Sequence, residues 1–169
     1  MLVDHYPFFA HLGPATQFVD RILALVDRIA LFEDFDRRDI EKLAAYMPCY
    51  QAPAGVRIIS EGDEGDFLVL LIEGLMNIVK RDKSGLEKVV ATVGAGETLG
   101  EMSMIDGKPR GASCVALEAT AFAVLDRDNL SRILTDDPVL GIKFLIELVQ
   151  VLAQRLRQTT SQLAEQLEV

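Results

Sequence analysis

From residue 49 to residue 125 the chain is a succession of short apolar runs broken by turn-forming residues. The segments 49–52, 56–59, 67–72, 75–80, 88–93, 98–99, 112–116 and 121–125 read as strands. Pro53-Ala54-Gly55, Gly62-Asp63-Glu64-Gly65, Glu73-Gly74, Asp82-Lys83-Ser84-Gly85 and Gly94-Ala95-Gly96 are the turns between them. Many short strands at even spacing predict a barrel or jelly-roll, not a parallel sheet.

Helices are expected on either side. Pro14 can open one that runs to Ile29, with Phe18, Ile22, Leu25 and Ile29 on one face. That face suits packing on its own domain or docking on a partner. Asp36 can cap a second helix over 36–47, with Ile40, Leu43, Ala44 and Met47 as its apolar stripe. Residues 128–135 read as a short helix, and Pro138 opens the longest, out to about Leu167. Its apolar side is Leu145, Val149, Leu152, Leu156 and Leu163 with Thr159 between them, a coiled-coil spacing. A helix this long outreaches a domain of this size, so a homodimer along it is expected. Residues 1–13 carry no assignable pattern. The expected fold class is mainly β with flanking α-helices: a double-stranded β-helix or jelly-roll (β-roll) with N-terminal helices and a long C-terminal helix. The expected division is an N-terminal segment over 1–30, the roll with its adjoining helices over 31–136, and the long helix over 137–169.

The chemistry is concentrated in residues 96–116. After an extended 97–99, Gly100 lets the backbone turn tightly. Residues 101–105 have the length of one helical turn, and Asp106-Gly107 and Lys108-Pro109 end it. First-turn N–H groups, here those of Met102 and Ser103, lack intrahelical partners and favour an anion. Arg110 can grip two oxygens of one phosphate from the other side. Glu101 repels a phosphate and needs another task, for which accepting from sugar hydroxyls is the natural one. Backbone donors, an acidic acceptor and an arginine in one loop point to a phosphate joined to a ribose.

Leu99-Gly100-Glu101-Met102-Ser103-Met104 followed by Pro109-Arg110-Gly111-Ala112-Ser113 resembles the phosphate-binding cassette of the cyclic nucleotide-binding domain family. That family includes the bacterial cAMP receptor protein and the regulatory subunits of cAMP-dependent protein kinase, and the likeness spans roughly residues 31–163. The resemblance implies a β-roll and a ligand of cAMP or cGMP. It implies that Glu101 binds the ribose 2′-hydroxyl and Arg110 the exocyclic phosphate oxygens. Gly100 and the backbone of Met102, Ser103 and Gly111 would complete the cradle, with Ala112 and Ser113 beside them. Ser113 is either a plain strand serine or reaches the phosphate or base edge; Arg110 has an ion pair with Glu101 as its structural alternative. Gly62, Gly65 and Gly74 sit where the family's loop glycines sit. Gly111 stands where the family often has Ala or Ser, and Met102 and Met104 replace the usual Leu. Residues 155–161 are similar to the central-helix stretch of the cAMP receptor protein, where adjacent hydroxyl residues contact adenine from the two subunits. Thr159 and Thr160 match those positions, or are ordinary helix-surface threonines. The threonine match favours cAMP, and Ser113 leaves cGMP open.

Composition narrows the remaining classes. The chain has 169 residues, half of them hydrophobic, as suits one folded domain with extra helices. A net charge of −9 makes it a poor nucleic-acid binder and leaves a local Arg110 to hold an anionic nucleotide. The stretch 139–152 is too interrupted by Lys143, Glu147 and Gln150 to span a bilayer, and the opening residues lack a basic region followed by an apolar core, so no signal peptide is expected. Cys49 and Cys114 have neither zinc nor redox spacing and read as buried thiols compatible with a reducing cytoplasm. Lys80, Arg81, Lys83 and Lys88 read as a solvated hairpin tip, and Asp63, Glu64 and Asp66 as loop solvation rather than a cation site. A metal-dependent enzyme on a jelly-roll needs inward histidines, but only His5 and His11 occur, outside the roll. No catalysis and no cofactor beyond the ligand are therefore expected. An alternative is a DNA-binding regulator of the same family, lacking or truncated of the helix-turn-helix that such proteins carry after the long helix. A structural module with a non-binding pocket is opposed by the intact Glu101 and Arg110. The expected function is a cyclic-nucleotide sensor whose long helix passes the signal to a second subunit or an unidentified downstream protein.

Overall fold

A computed structural model describes residues 8–167. His5 of the unassigned opening, and Glu168 and Val169 of the last segment, lie outside the described residues.

The strands are β1 (Ala10–Pro14), β2 (Pro48–Ala52), β3 (Arg57–Ile59), β4 (Phe67–Glu73), β5 (Leu75–Arg81), β6 (Glu87–Gly94), β7 (Thr98–Leu99), β8 (Ser113–Ala116) and β9 (Thr120–Asp126). They form a five-stranded sheet in the order β1-β2-β9-β4-β7 and a four-stranded sheet in the order β3-β8-β5-β6. Their pairings are antiparallel. This is the expected β-roll.

The uninterrupted apolar run of β4 reflects cover on both faces. Side chains alternate sides along a strand. Phe67, Val69 and Leu71 therefore enter a core between the sheets with Tyr50, Ile58, Met76, Phe122 and Val124. Leu68, Leu70 and Ile72 enter a second core, shared with Phe32, Ile40, Leu43, Phe144 and Leu148 of the helical layer. β9 divides in the same way, with Phe122 and Val124 on one side and Ala123 and Leu125 on the other. The five-stranded sheet is thus the shared wall between roll and helices.

The helices are α1 (Val19–Ala24), α2 (Arg37–Ala44), α3 (Glu101–Asp106), α4 (Arg127–Asp136) and α5 (Pro138–Leu167). Asp36 and Asp39 form a reciprocal capping box at the start of α2, and the Asp126 side chain accepts from the Asn129 amide at the start of α4. The expected single helix from Pro14 to Ile29 is instead broken. Pro14 ends edge strand β1, and 3-10 turns at Ala15–Phe18 and Val26–Arg28 bracket the short α1. Neither α1 nor these turns has a side-chain N-cap, and Val19, Ile22, Val26 and Ile29 are poor helix formers. Burial wins over regularity: Ile22 and Ile29 still reach the helical core, with Phe18 and Leu25 packed beside them.

On α5, Leu140, Phe144, Leu148 and Val151 are buried in the helical core, and Leu145 and Leu152 pack against it. Val139, Ile142, Ile146, Val149, Leu156 and Leu163 remain exposed. The expected stripe is therefore shared: part of it packs on the domain, and an apolar line beside it faces outward. α4 and α5 meet closely at Gly141, where a Cβ would stand 2.7 Å from the Leu134 side chain. No helix among the described residues is long and apolar enough to cross a membrane.

Candidate functional site

The site is built where β7 runs into α3. Gly100 has φ +84°, a left-handed conformation that a side chain disfavours, and it redirects the backbone into the helix. A Cβ there would also stand 2.5 Å from Nη1 of Arg110. Gly107, again left-handed at φ +69°, ends α3, and its amide donates to the Ser103 carbonyl at 3.0 Å. Within α3, Ser103 and Met104 are buried and Met102 is exposed. Of the two methionines in place of Leu, only Met104 packs in the core.

Arg110 approaches from the opposite side of the loop and is buried. Its Nη1 donates to the Gly100 carbonyl and its Nη2 to the Phe67 carbonyl, both at 2.8 Å. The guanidinium lies 4.4 Å over the Phe67 ring, a cation–π contact. Its backbone is pinned as well, the Arg110 amide donating to the Asp63 carbonyl and the Gly62 amide to the Arg110 carbonyl, each at 2.8 Å. The guanidinium fills the space beside Gly65, where a Cβ would come within 2.5 Å of its Nε. The Gly62-to-Gly65 loop is thus part of the arginine's setting.

Glu101, the first residue of α3, is also buried. Arg155 of α5 holds it: Nη1 donates to both carboxylate oxygens at 3.0 Å, and Nη2 donates to the Thr98 carbonyl at 2.8 Å. The acidic member of the cassette is therefore bonded to the long helix.

Ser113 is buried, and its Oγ accepts from Nη1 of Arg57 at 2.7 Å and from the Glu61 amide at 2.9 Å. Gly111 is exposed, and its carbonyl accepts from Lys80 at 3.1 Å. Lys80 thereby ties β5 to the cassette, while Lys88 pairs with Asp82 at the hairpin tip. Ala112 is half-buried. Thr159 and Thr160 are exposed, and their hydroxyls donate to the carbonyls of Arg155 and Leu156 one turn earlier. By the 3.6-residue period, Thr160 continues the exposed line of Val149 and Leu156, whereas Thr159 lies on the side of Leu152 and Arg155.

The structure thus brings Gly100, Glu101, Met102, Ser103 and Arg110 together around α3 and leaves the two threonines in no described contact with them. Sequence reasoning missed Arg155, Phe67 and Arg57 as members of this neighbourhood. Arg155 had a signal: it stands one helical turn before Thr159 in the stretch already singled out. Phe67 and Arg57 had none, because their contacts come from strands distant in sequence. Cys49 and Cys114 are both buried; burial pushes their thiols up to about 12 and about 11, which leaves them unreactive. Among the described residues no group of three or more His, Cys, Asp or Glu is placed to hold a metal ion.

Residues 51–137 match the cyclic nucleotide-binding domain. The chain is 31% identical over 147 residues to the CRP-like cAMP-activated global transcriptional regulator of Mycobacterium tuberculosis (strain ATCC 25618 / H37Rv), a match covering 87% of this chain and 62% of that protein. It is 34% identical over 111 residues to the cAMP-dependent protein kinase regulatory subunit of Aspergillus niger, covering 66% of this chain and 26% of that protein. The chain therefore spans less than two thirds of these curated relatives. It is also similar to the crystal structure of a cyclic nucleotide-binding domain from Methylobacillus flagellatus KT, with a TM-score of 0.87 and 43% identity over 98% of this chain and 94% of that one. With the cassette, the β-roll and these matches in agreement, the chain belongs to the cyclic nucleotide-binding domain family.

Proposed function

We propose that this chain is a regulatory sensor of cyclic nucleotide, with cAMP preferred over cGMP, and that it carries out no catalysis. The observation that carries this reading is the bond between Glu101 and Arg155, which ties the cassette's acidic residue to α5. A ribose hydroxyl arriving at Glu101 has to share that carboxylate with the arginine, so ligand binding acts on the helix directly. The phosphate draws on Arg110, which has to share its Gly100 and Phe67 carbonyl bonds with the ligand, and on the amides of Met102 and Ser103, with Gly111, Ala112 and Ser113 at its edge. The preference for cAMP is supported by the names of the two relatives, one cAMP-activated and the other a subunit of a cAMP-dependent kinase. Binding shifts α5 only as far as the ligand favours one arrangement over the other.

The roll over 31–136 is the binding unit in this proposal, and 137–169 transmits. The exposed line from Val139 to Leu163 supports a second copy as the receiver, since a stripe in threes and fours suits a helix pair. Thr160, on that line, is the hydroxyl residue best placed to reach a base held by the second copy, with Thr159 on the flank of the helix that carries Arg155. A downstream intracellular protein then reads the paired state.

The deciding experiment is calorimetric titration of nucleotide-stripped protein with cAMP and with cGMP. Arg110→Ala removes two charge-assisted bonds to a phosphate and is expected to cost at least about 100-fold in affinity. Glu101→Gln is expected to cost less, because an amide oxygen still accepts from a hydroxyl. Failure of both nucleotides to bind the wild-type protein would sink the proposal.

A further inference from the structure

Arg127, the first residue of α4, turns its side chain back onto the cassette. Its Nε donates to the Met104 carbonyl at 2.8 Å and its Nη2 to the Ser103 carbonyl at 3.0 Å. These carbonyls belong to the last turn of α3, whose partial negative charge favours a cation; the Ser103 carbonyl already accepts from the Gly107 amide and takes Arg127 on its second lone pair. The Arg127 amide donates to the Asp66 carbonyl at 2.9 Å. The next carbonyl, that of Phe67, accepts from Arg110, whose other nitrogen bonds to the Gly100 carbonyl just before α3. These bonds close a ring: Arg110, Gly100, α3, Arg127, the 66–67 backbone, and Arg110 again.

We propose that Arg127 is a positioning residue of the nucleotide site, which fixes α3 from α4 and gives the cassette a second connection to α5. The proposal rests on the cyclic-nucleotide reading above. Arg127 itself touches no ligand. It holds the far end of α3, so that Glu101 and the first-turn amides keep their place relative to Arg110. Arg155 holds the near end, so arginines from two successive helices grip the two ends of one short helix. A displacement of α3 then pulls on α4, and the close contact of Leu134 with Gly141 carries that pull into α5. The fork is essential: two carbonyls taken by two nitrogens of one planar group is a geometry an ammonium does not reproduce.

The test compares wild type with Arg127→Met, which keeps the apolar stem, and Arg127→Lys, which keeps the charge. Hydrogen exchange is followed in the free protein and at saturating cAMP, alongside calorimetric titration. In Arg127→Met the free-protein amides of 101–107 are expected to exchange about tenfold faster and the Kd for cAMP to rise about tenfold. The cAMP-induced change across α4 is expected to disappear, while β2 and β9 keep wild-type exchange. Arg127→Lys should fall between the two, and it decides the matter if Arg127→Met does not fold. Wild-type exchange in α3 together with wild-type affinity overturns the proposal. So does equal loosening of β2 and β9, which marks a general loss of stability. If the wild-type protein binds neither nucleotide, the sensor reading falls. Exchange of 101–107 in the free protein still decides on Arg127: faster rates uphold its hold on α3, and unchanged rates overturn it.

Discussion

A single nitrogen of Arg155, Nη1, lies 3.0 Å from both carboxylate oxygens of Glu101, and it reaches them from a helix that begins 37 residues (138 − 101) after the cassette helix does. Glu101 is 2% exposed, and Arg155 is its ion-pair partner. Arg155→Ala should leave the carboxylate buried with its cation gone. The Arg155 side chain is itself 38% exposed, and solvent screening reduces the cost. A loss of about 1–3 kcal/mol in unfolding free energy is expected, read by urea denaturation. Pairing it with Glu101→Gln should restore most of the loss, because a neutral amide needs no counter-ion. A double variant as unstable as Arg155→Ala would show that the arginine acts through packing instead.

Gly65 and Gly111 separate crowding from charge. A Cβ on Gly65 would stand 2.5 Å from Nε and 2.6 Å from Nη2 of Arg110, whereas one on Gly111 meets nothing within 4 Å. Neither glycine has a left-handed φ, so Ala strains neither backbone. Gly65→Ala is expected to push Arg110 off its carbonyl anchors and weaken cAMP binding by about tenfold or more. Gly111→Ala should leave the affinity unchanged. Titration of the two variants side by side checks this, and equal affinities would remove Gly65 from the site.

The strands and the cassette were legible because their signals are local. Turn glycines punctuate β2 to β9, Gly100 and Gly107 mark the two ends of α3, and Asp36 and Asp126 each cap a helix. What was hidden depends on contacts between distant segments. Arg155 meets Glu101 across 54 positions, and Arg110 meets Phe67 across 43. The opening segment misled for a related reason. Its apolar residues keep helical spacing, yet uncapped backbone bends to follow the shared core, and β1 pairs with β2 far along the chain. The apolar side of α5 was visible, but a periodic pattern alone does not say which flank of it the domain covers.

The outward line of α5 gives a direct test of the paired state. Val149 and Leu156 are 65% and 68% exposed and stand seven residues apart, one heptad on the same face. Val149→Glu with Leu156→Glu would put two carboxylates into a helix pair and lose about 1.5–3 kcal/mol of apolar burial at each site. Sedimentation is expected to move from dimer to monomer, with the melting temperature of the separate domain unchanged because neither side chain lies in its core. A wild-type protein that sediments as a monomer with and without cAMP would rule out the helix pair.

Glu147 is expected to make the hold of α5 on its own domain pH-dependent. It is 1% exposed, and its Oε2 has no hydrogen-bond partner among the described residues. Burial first, then the charge of Asp34 and a hydrogen bond shared with it, then Glu33, push its carboxyl above the usual glutamate range, against a weaker downward pull from Lys143. The native state therefore holds this proton more tightly than the unfolded chain does. Below the unfolded pKa both states are protonated and the group costs no charge burial. As the pH climbs from there to the raised native value, the unfolded chain releases its proton first and stability falls; above it the full cost is present. Glu147→Gln removes this titration and keeps the shape. The variant should be more stable than wild type at neutral pH, by about 1 kcal/mol, and the gap should close on acidification towards the unfolded value. Melting curves of both proteins across that range cancel the other titrating groups in the difference. Because Glu147 lies among Phe144, Leu148 and Val151 on the buried side of α5, the variant should also slow amide exchange along that helix at neutral pH. A gap that does not vary with pH, or a variant less stable at neutral pH, would assign the buried carboxyl a bonding role instead of a titrating one.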